Sequence, residues 1–306
     1  MPDLPKISVV VPTRDRPQFL VEAVGSVAAQ ALLPAELVVV DDGSAADAGA
    51  ALRRVRWPKS ATIRVLPGSR SGPAAARNLG VRSASGNLIA FLDDDDVWHP
   101  EKLAEQARWF AARPDMGALG TACVRTPTPG LCHFRRQGRS QVRSISRAAL
   151  LRGNRLCLSS VMIRRNCLDE IGGFDESLPL AQDWDLWLRI SSWWEIGTLN
   201  APLTVYRLHG KQRSRDEAAM RRWEAEVIRR AIARVSGART LRGVARRRLS
   251  WAHCRLGRVL IRRGETQGAV HELKQALSLY PLHPLVWGSL ALCALAAGGL
   301  ARERRA

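Results

Sequence analysis

Leu88-Ile89-Ala90-Phe91-Leu92, continuing into Asp93-Asp94-Asp95-Asp96-Val97-Trp98, is the stretch on which the fold reading turns. Five apolar residues in a row have the length of a strand and predict a buried one. Four consecutive carboxylates follow at its carboxyl end. Like charges this close raise one another's pKa, so a fold keeps them most readily where a cation sits against them. Hard divalent cations take oxygen ligands, and Mg²⁺ usually binds through one or two carboxylates plus substrate phosphates. Open α/β sheets bind their ligands outside the carboxyl ends of the strands. A solvated acidic turn is the plain alternative from these four acids alone.

Working outward, a second apolar run, Leu37-Val38-Val39-Val40, ends in Asp41-Asp42-Gly43-Ser44. A third, Ile7-Ser8-Val9-Val10-Val11, is broken by Pro12-Thr13-Arg14-Asp15-Arg16-Pro17. A helix-compatible segment over 18–30 lies between these two runs, so strand, helix and strand form a βαβ unit with parallel strands. Two strands thus end in acidic turns. A further strand is expected over 62–66. Gly68 to Pro73 forms a turn that opens a helix at Ala74, and a helix N-terminus of this kind can hold an anion. A helix over 100–112 and strands over 117–124 and 159–163 follow. Gln182-Asp183-Trp184-Asp185-Leu186-Trp187 begins a helix with two acids in its first turn, where capping by the helix dipole is the plain role. Residues 204–209, ending in His209, close the globular part.

The chain has 306 residues, 46% of them hydrophobic, enough for one large domain or a domain with an appendage. Its formal charge of +19 admits nucleic acid, an anionic membrane face or an anionic substrate as partner. Seven arginines and no acid lie between Arg135 and Arg155, and sixteen arginines against four acids between Arg213 and Arg263. Six cysteines form no CxxC pair and no zinc spacing, which predicts free thiols in a reducing compartment. The first five residues have neither the basic nor the apolar region of a signal peptide, so a cytoplasmic location is expected, with peripheral contact to the inner membrane face. The apolar run over 285–301 is read as a packed helix, not a membrane span.

Beyond Asp216 the pattern is wholly helical and basic. Residues 250–283 fit one tetratricopeptide-like unit, with Gly257, Ala269, Ala276 and Pro281 at its small or breaking positions and Leu256, Leu260 and Leu273 at its packing positions. The phase restarts after Pro284. The expected division is residues 1–212 as a catalytic domain and 213–306 as a basic helical region, with the repeat over about 250–298.

Taken in order, these segments resemble the family-2 inverting glycosyltransferases. They are Val9-Val10-Val11-Pro12-Thr13 with Asp15, Val39-Val40-Asp41-Asp42-Gly43-Ser44, Ala76-Arg77-Asn78-Leu79-Gly80, Phe91 to Trp98, Gly172-Gly173-Phe174-Asp175 and Gln182 to Trp187. The resemblance covers about residues 6–212. It implies an α/β fold of the GT-A type, a Rossmann-like mixed but mostly parallel sheet with helices on both faces, followed here by an all-α appendage. It implies a nucleotide-diphosphate sugar as donor and a glycan or lipid-linked hydroxyl as acceptor, in cell-surface polysaccharide or glycolipid synthesis. Pro12, Thr13, Asp15 and Asp42 would line the nucleotide site, with Arg77 near the diphosphate. Asp93 and Asp94 would face the nucleotide, and Asp95 would hold Mn²⁺ or Mg²⁺, with His209 beside it. Asp183 falls on the catalytic base. Gln182 stands where the family has Glu, and Arg14 where many members carry an aromatic.

The competing readings are a sugar-nucleotide nucleotidyltransferase, a basic nucleic-acid-binding protein and an inactive scaffold. The first calls for a glycine-rich basic loop after the first strand, which Pro12 to Pro17 is not. The second calls for aromatics interleaved with the arginines as stacking platforms, and the basic stretches lack that interleaving. Intact Asp95 and Asp183 stand against the third. Acceptor choice is expected in loops such as 131–146.

Overall fold

The computed structural model describes residues 5–127, 140–210, 212, 215–235, 239–283, 285–291 and 293. The acceptor loop expected over 131–146 lies outside them up to residue 139, and the apolar run over 285–301 lies outside them for most of its length. The chain divides into two compact units, Met1–Arg147 with Arg155–Gly210, and Ala148–Asn154 with Lys211–Ala306.

The first unit opens β1 (Ile7–Thr13), α1 (Pro17–Ala28), β2 (Glu36–Asp41), α2 (Ala48–Leu52), β3 (Thr62–Pro67), α3 (Pro73–Ser83) and β4 (Leu88–Phe91). It continues through β5 (Val97–Trp98), α4 (Lys102–Ala112), β6 (Met116–Thr126) and β7 (Val142–Ser144). It ends with β8 (Met162–Arg164), α6 (Arg165–Ile171), α7 (Gln182–Ile190) and β9 (Glu195–Arg207), while α5 (Arg147–Arg152), between β7 and β8 in the chain, falls to the second unit from Ala148 on. The strands make one mixed sheet in the order β3-β2-β1-β4-β8-β6-β9-β5, with β7 also paired to β9. The ladders β1–β2, β1–β4, β2–β3 and β6–β9 are parallel and carry most of the paired residues.

Every residue of β1 and β4 is buried, which is why these strands read as unbroken apolar runs. β3 is the edge strand and is largely exposed. Pro17 and Pro73 occupy the first turns of α1 and α3, where a missing N–H costs nothing and the fixed φ suits the helix. Gly80 lets α3 lie against β1, since a Cβ there would collide with Val10 Cγ1. The core joins both sides of the acidic turn: Val9, Val11, Leu37, Val39, Leu88, Ala90 and Leu92 pack with Leu20, Val24, Trp98, Leu103 and Phe110.

The strand expected over 159–163 is shifted. Leu158–Ser160 is a 3-10 turn and β8 follows at Met162–Arg164. The segment expected over 204–209 is the end of a longer strand, β9, whose register with β6 slips around Ala122, opposite Pro202. A bulge there accommodates the proline in a strand interior.

Lys102 is fully buried at the start of α4. Its Nζ donates to Gln106 Oε1 at 2.7 Å and lies 4.0 Å from the Trp98 ring centroid. Burial pulls its pKa down to about 7, against the nearby Cys123 and Cys157 thiols, which hold it up. Both folded and unfolded chains carry the charge below pH 7, and neither carries it above pH 10.5, so the penalty fades as pH rises between these values. Lys102→Met is therefore expected to stabilise the protein at pH 7 by on the order of 2 kcal/mol, net of the lost Gln106 partner. Denaturant titration from pH 7 to pH 10 checks this. Wild-type stability should climb relative to the variant, and a less stable variant with the same pH slope contradicts it.

The second unit contains α8 (Glu217–Arg234), α9 (Arg239–Arg262) and α10 (Thr266–Leu279), with residues 286–291 again helical. α9 and α10 join through Gly264 at φ +75°. Leu256, Leu260, Ala269, Leu273 and Ala276 are buried in one cluster, and a Cβ on Gly257 would press on Leu273. No helix among the described residues is long and apolar enough to cross a membrane. Cys167, Cys254 and Cys293 are buried and Cys123 and Cys157 partly so, all five as free thiols, while Cys132 lies outside the described residues.

Candidate active site

The parallel strands β1, β2 and β4 deliver their carboxyl ends to one edge of the sheet. Thr13 is opposite Asp41 in the β1–β2 ladder, and the Leu92 amide bonds Val10 O as β4 runs out. The chain turns at once, with Asp96 N donating to Asp93 O at 3.1 Å, and returns as β5. β5 is pinned by Trp98, whose Nε1 donates to Ser159 O at 2.6 Å. Four acids are thereby held in a tight turn at the strand end.

The neighbours of these acids divide them. Asp94 is buried; it accepts from Thr13 Oγ1 at 2.8 Å and from Arg16 NH1 at 3.1 Å. Asp95 Oδ2 meets Arg16 NH1 and His209 Nε2, each at 2.8 Å. His209 in turn stacks on Phe19 with ring centroids 5.1 Å apart. Asp93 Oδ1 accepts from Arg77 NH2 at 2.5 Å. Asp96 is almost wholly buried, and its Oδ1 accepts from the Arg207 amide at 3.0 Å. The guanidinium of Arg207 reaches Asp95 O and Glu22.

Burial, with Asp95 beside it, pushes the Asp94 carboxyl up to about 6, against Arg16 and Thr13, which hold it down. Burial together with Asp95 and Asp93 raises Asp96 well above the carboxylate range. Negative charge is in excess here. Asp93, Asp95 and Asp96 each offer one carboxylate oxygen, all within 4.8 Å of one another. Asp96 Oδ2 is buried with no hydrogen-bond partner among the described residues. An orphaned buried oxygen within an oxygen-only donor set fits a hard divalent cation.

Arg77 connects this turn to α7. Its NH1 donates to Gln182 Oε1 at 3.2 Å while NH2 holds Asp93, and its guanidinium carbon lies 5.5 Å from the Phe174 ring centroid. Gln182 also donates to Leu178 O at 2.6 Å. Asn78, on the same helix as Arg77, donates to Phe174 O and accepts from Phe174 N, both at 2.9 Å. Gly173 has φ +69°, and a Cβ on it would strike Asn78 Oδ1, so the Gly172-Gly173-Phe174 turn and α3 fit only with glycine there. α7 starts from Ala181 at φ +58°, a left-handed conformation costly for alanine and found mostly at functional sites.

The two acids of α7 differ in surroundings. Asp183 is half-buried and its Oδ1 accepts from the Trp184 amide at 2.8 Å. Asp185 is fully buried and paired with Arg189 Nε at 2.7 Å, and that arginine also donates to Ile171 O and Gly173 O. Asp185 is committed to the fold.

The remaining residues expected in the site line the β1 and β2 loops. Asp15 adopts φ +54°, takes Ser44 Oγ at its amide and accepts from the Ala45 amide. Pro12 lies opposite Val40 in the ladder. Asp42 accepts from the Ser71 and Gly72 amides at 3.1 and 2.9 Å. The anion at the start of α3 is thus the protein's own carboxylate. Sequence reasoning missed Arg16, Asp96 and Arg207. Their partners lie 78 to 185 positions away, and no local pattern announces such pairs.

The sequence profile of the family described as "Glycosyl transferase family 2" matches residues 8–172. The O-antigen biosynthesis protein RfbC of Myxococcus xanthus is 33% identical over 202 residues, covering 65% of the chain and 16% of that protein. The chain spans about a sixth of the length of RfbC and of two Rickettsia relatives, and 65% of the length of the Nostoc relative alr2836. Among solved structures, S. aureus TarS 1–349 in complex with UDP-GlcNAc superposes with a TM-score of 0.69 at 18% identity, over 95% of this chain and 89% of that one. The mannosyltransferase PcManGT of Pyrobaculum calidifontis, in complex with GDP-Man and Mn²⁺, superposes with a TM-score of 0.64 at 22% identity, over 97% of this chain and 80% of that one. The fold is of the GT-A type with helices appended at the carboxyl end.

Proposed function

Because this chain belongs to glycosyl transferase family 2, we propose that it transfers a sugar from a nucleotide-diphosphate sugar to a hydroxyl acceptor, with inversion, in the synthesis of a cell-surface polysaccharide or glycolipid. The observation that carries the reading is the excess of carboxylate at the end of β4, joined through Arg77 to the start of α7. That chain of contacts supports an anionic donor bound close to a base at the start of α7.

Asp95, with Asp93 and Asp96 around it, would hold Mn²⁺ or Mg²⁺, and His209 is within reach as a further ligand. When bound, such an ion would supply Lewis-acid neutralisation of the leaving diphosphate. Arg77 is held between Asp93 and Gln182, ready for phosphate oxygens. Pro12, Thr13, Asp15 and Asp42 shape the pocket for the nucleoside, with Asp94 beneath Thr13. Asp183 takes the acceptor's proton as the hydroxyl attacks. One displacement inverts the anomeric carbon, and no covalent nucleophile is needed. The test is release of nucleoside diphosphate from a panel of nucleotide sugars, with and without Mn²⁺, in the presence of glycan and lipid-linked acceptors. Failure of every donor would refute the reading.

We assign the donor reaction to residues 1–212. To 213–306, read as a tetratricopeptide-like basic segment, we assign attachment at the anionic inner face of a membrane, which also fits a cytoplasmic location. The sixteen arginines between 213 and 263 support this, since each basic residue near such a surface contributes about 1 kcal/mol. The full chain is expected to float with phosphatidylglycerol vesicles at low salt, to detach as salt is raised, and to ignore phosphatidylcholine vesicles. Equal binding to both kinds of vesicle, or none at low salt, contradicts the assignment.

A further inference from the structure

We propose that Arg16 is a built-in rival of the divalent cation for Asp95, and that the ion binds as the arginine swings off the acid. The proposal rests on the reading that a divalent cation binds the Asp93–Asp96 turn. A single nitrogen, Arg16 NH1, donates to Asp94 Oδ1 at 3.1 Å and to Asp95 Oδ2 at 2.8 Å. One positively charged nitrogen thus bridges two carboxylates, the position a cation takes.

The two partners of Asp95 Oδ2 are chemically unlike. Guanidinium has five donors, no acceptor and no accessible neutral form, so it cannot enter a metal's coordination shell. It also repels the ion. The imidazole of His209, 2.8 Å from the same oxygen, can turn a ring nitrogen to a metal when neutral. Of the two, His209 can stay and Arg16 must leave.

The local structure lets the side chain move while its backbone stays. Arg16 immediately precedes α1, and its carbonyl is held by the Leu20 amide, so its backbone is fixed while its side chain is about a quarter exposed. Asp94 keeps the Thr13 hydroxyl when the guanidinium departs. Arg16 therefore neutralises the turn before the ion arrives and sets the metal concentration at which the site fills. It is a positioning residue for Asp95.

The test uses full-length protein titrated with MnCl₂ alone, read by calorimetry and by loss of the free Mn²⁺ resonance signal, with thermal unfolding alongside. Arg16→Gln is expected to bind Mn²⁺ about tenfold more tightly than wild type, as removal of a competing cation predicts. Without metal it should unfold at lower temperature, and it should gain more from Mn²⁺ than wild type does. Arg16→Lys keeps a cation and should stay close to wild type. Should Arg16→Gln fail to fold, Arg16→Met combined with Asp94→Asn removes the unpaired charge and should show the same tightening. If Mn²⁺ binds wild type, is lost in Asp95→Ala and binds the Arg16 variants no more tightly, the rivalry is wrong and the metal reading stands. If no variant and no wild type binds Mn²⁺, both are wrong.

Discussion

Asp183→Asn is expected to lower sugar transfer by roughly 10²–10⁴-fold, the contribution a positioned general base would make, while donor affinity should stay within about twofold of wild type. The asparagine keeps the size of the side chain and an oxygen for the Trp184 amide, so α7 still begins where it does. What it loses is the ability to take a proton. The nearest rival, Asp185, makes a different prediction. It is buried against Arg189, whose guanidinium ties α7 to Ile171 and Gly173. Asp185→Asn weakens a buried ion pair and should lower the unfolding temperature, a cost of about 1–3 kcal/mol. Side-by-side turnover and thermal unfolding separate the two. Near-normal transfer by Asp183→Asn, or a larger loss of turnover in Asp185→Asn at unchanged stability, would show that the base has been misplaced.

Asp95→Ala should weaken Mn²⁺ binding by at least about 10²-fold, more than the loss of an outer partner of a ligand costs, and transfer should fall with it. The fold should survive, because Asp94 retains Thr13 and Arg16, and Asp96 retains the Arg207 amide. The variant also takes the Asp95 carboxylate away from Arg16 and His209. Activity in the variant should therefore no longer respond to added Mn²⁺, and Mn²⁺ should no longer raise its unfolding temperature. Stimulation by Mn²⁺ equal to that of wild type is the contrary result.

The readable parts of this site share a physical reason. β1, β2 and β4 are covered on both faces, so their sequences are unbroken apolar runs and their ends are conspicuous. Thr13, Asp42 and Asp93 to Asp95 could be found because each stands at such an end. β9 was hidden because Gly197, Asn200 and Pro202 resemble a loop, while the ladder absorbs the proline at a register slip. β5 is two residues long, with pairing that depends on β9. The charge pairs were hidden more deeply. Arg16 reaches Asp95 and Arg77 reaches Gln182 only because the sheet brings distant loops to one edge. Gln182 shows what this conceals. In sequence it is a departure from the family pattern, whereas in the structure its amide receives Arg77 and helps hold that arginine toward Asp93.

The property on which the proposed reaction depends is metal-dependent recognition of a nucleoside diphosphate at the end of β4. Calorimetric titration of UDP and GDP into the wild-type protein, in Mn²⁺ and again in a chelator, measures it. The expected result is saturable binding of at least one nucleotide in Mn²⁺, strongly weakened by the chelator and by Asp95→Ala. Binding that is indifferent to both, or no binding of either nucleotide in Mn²⁺, would contradict it.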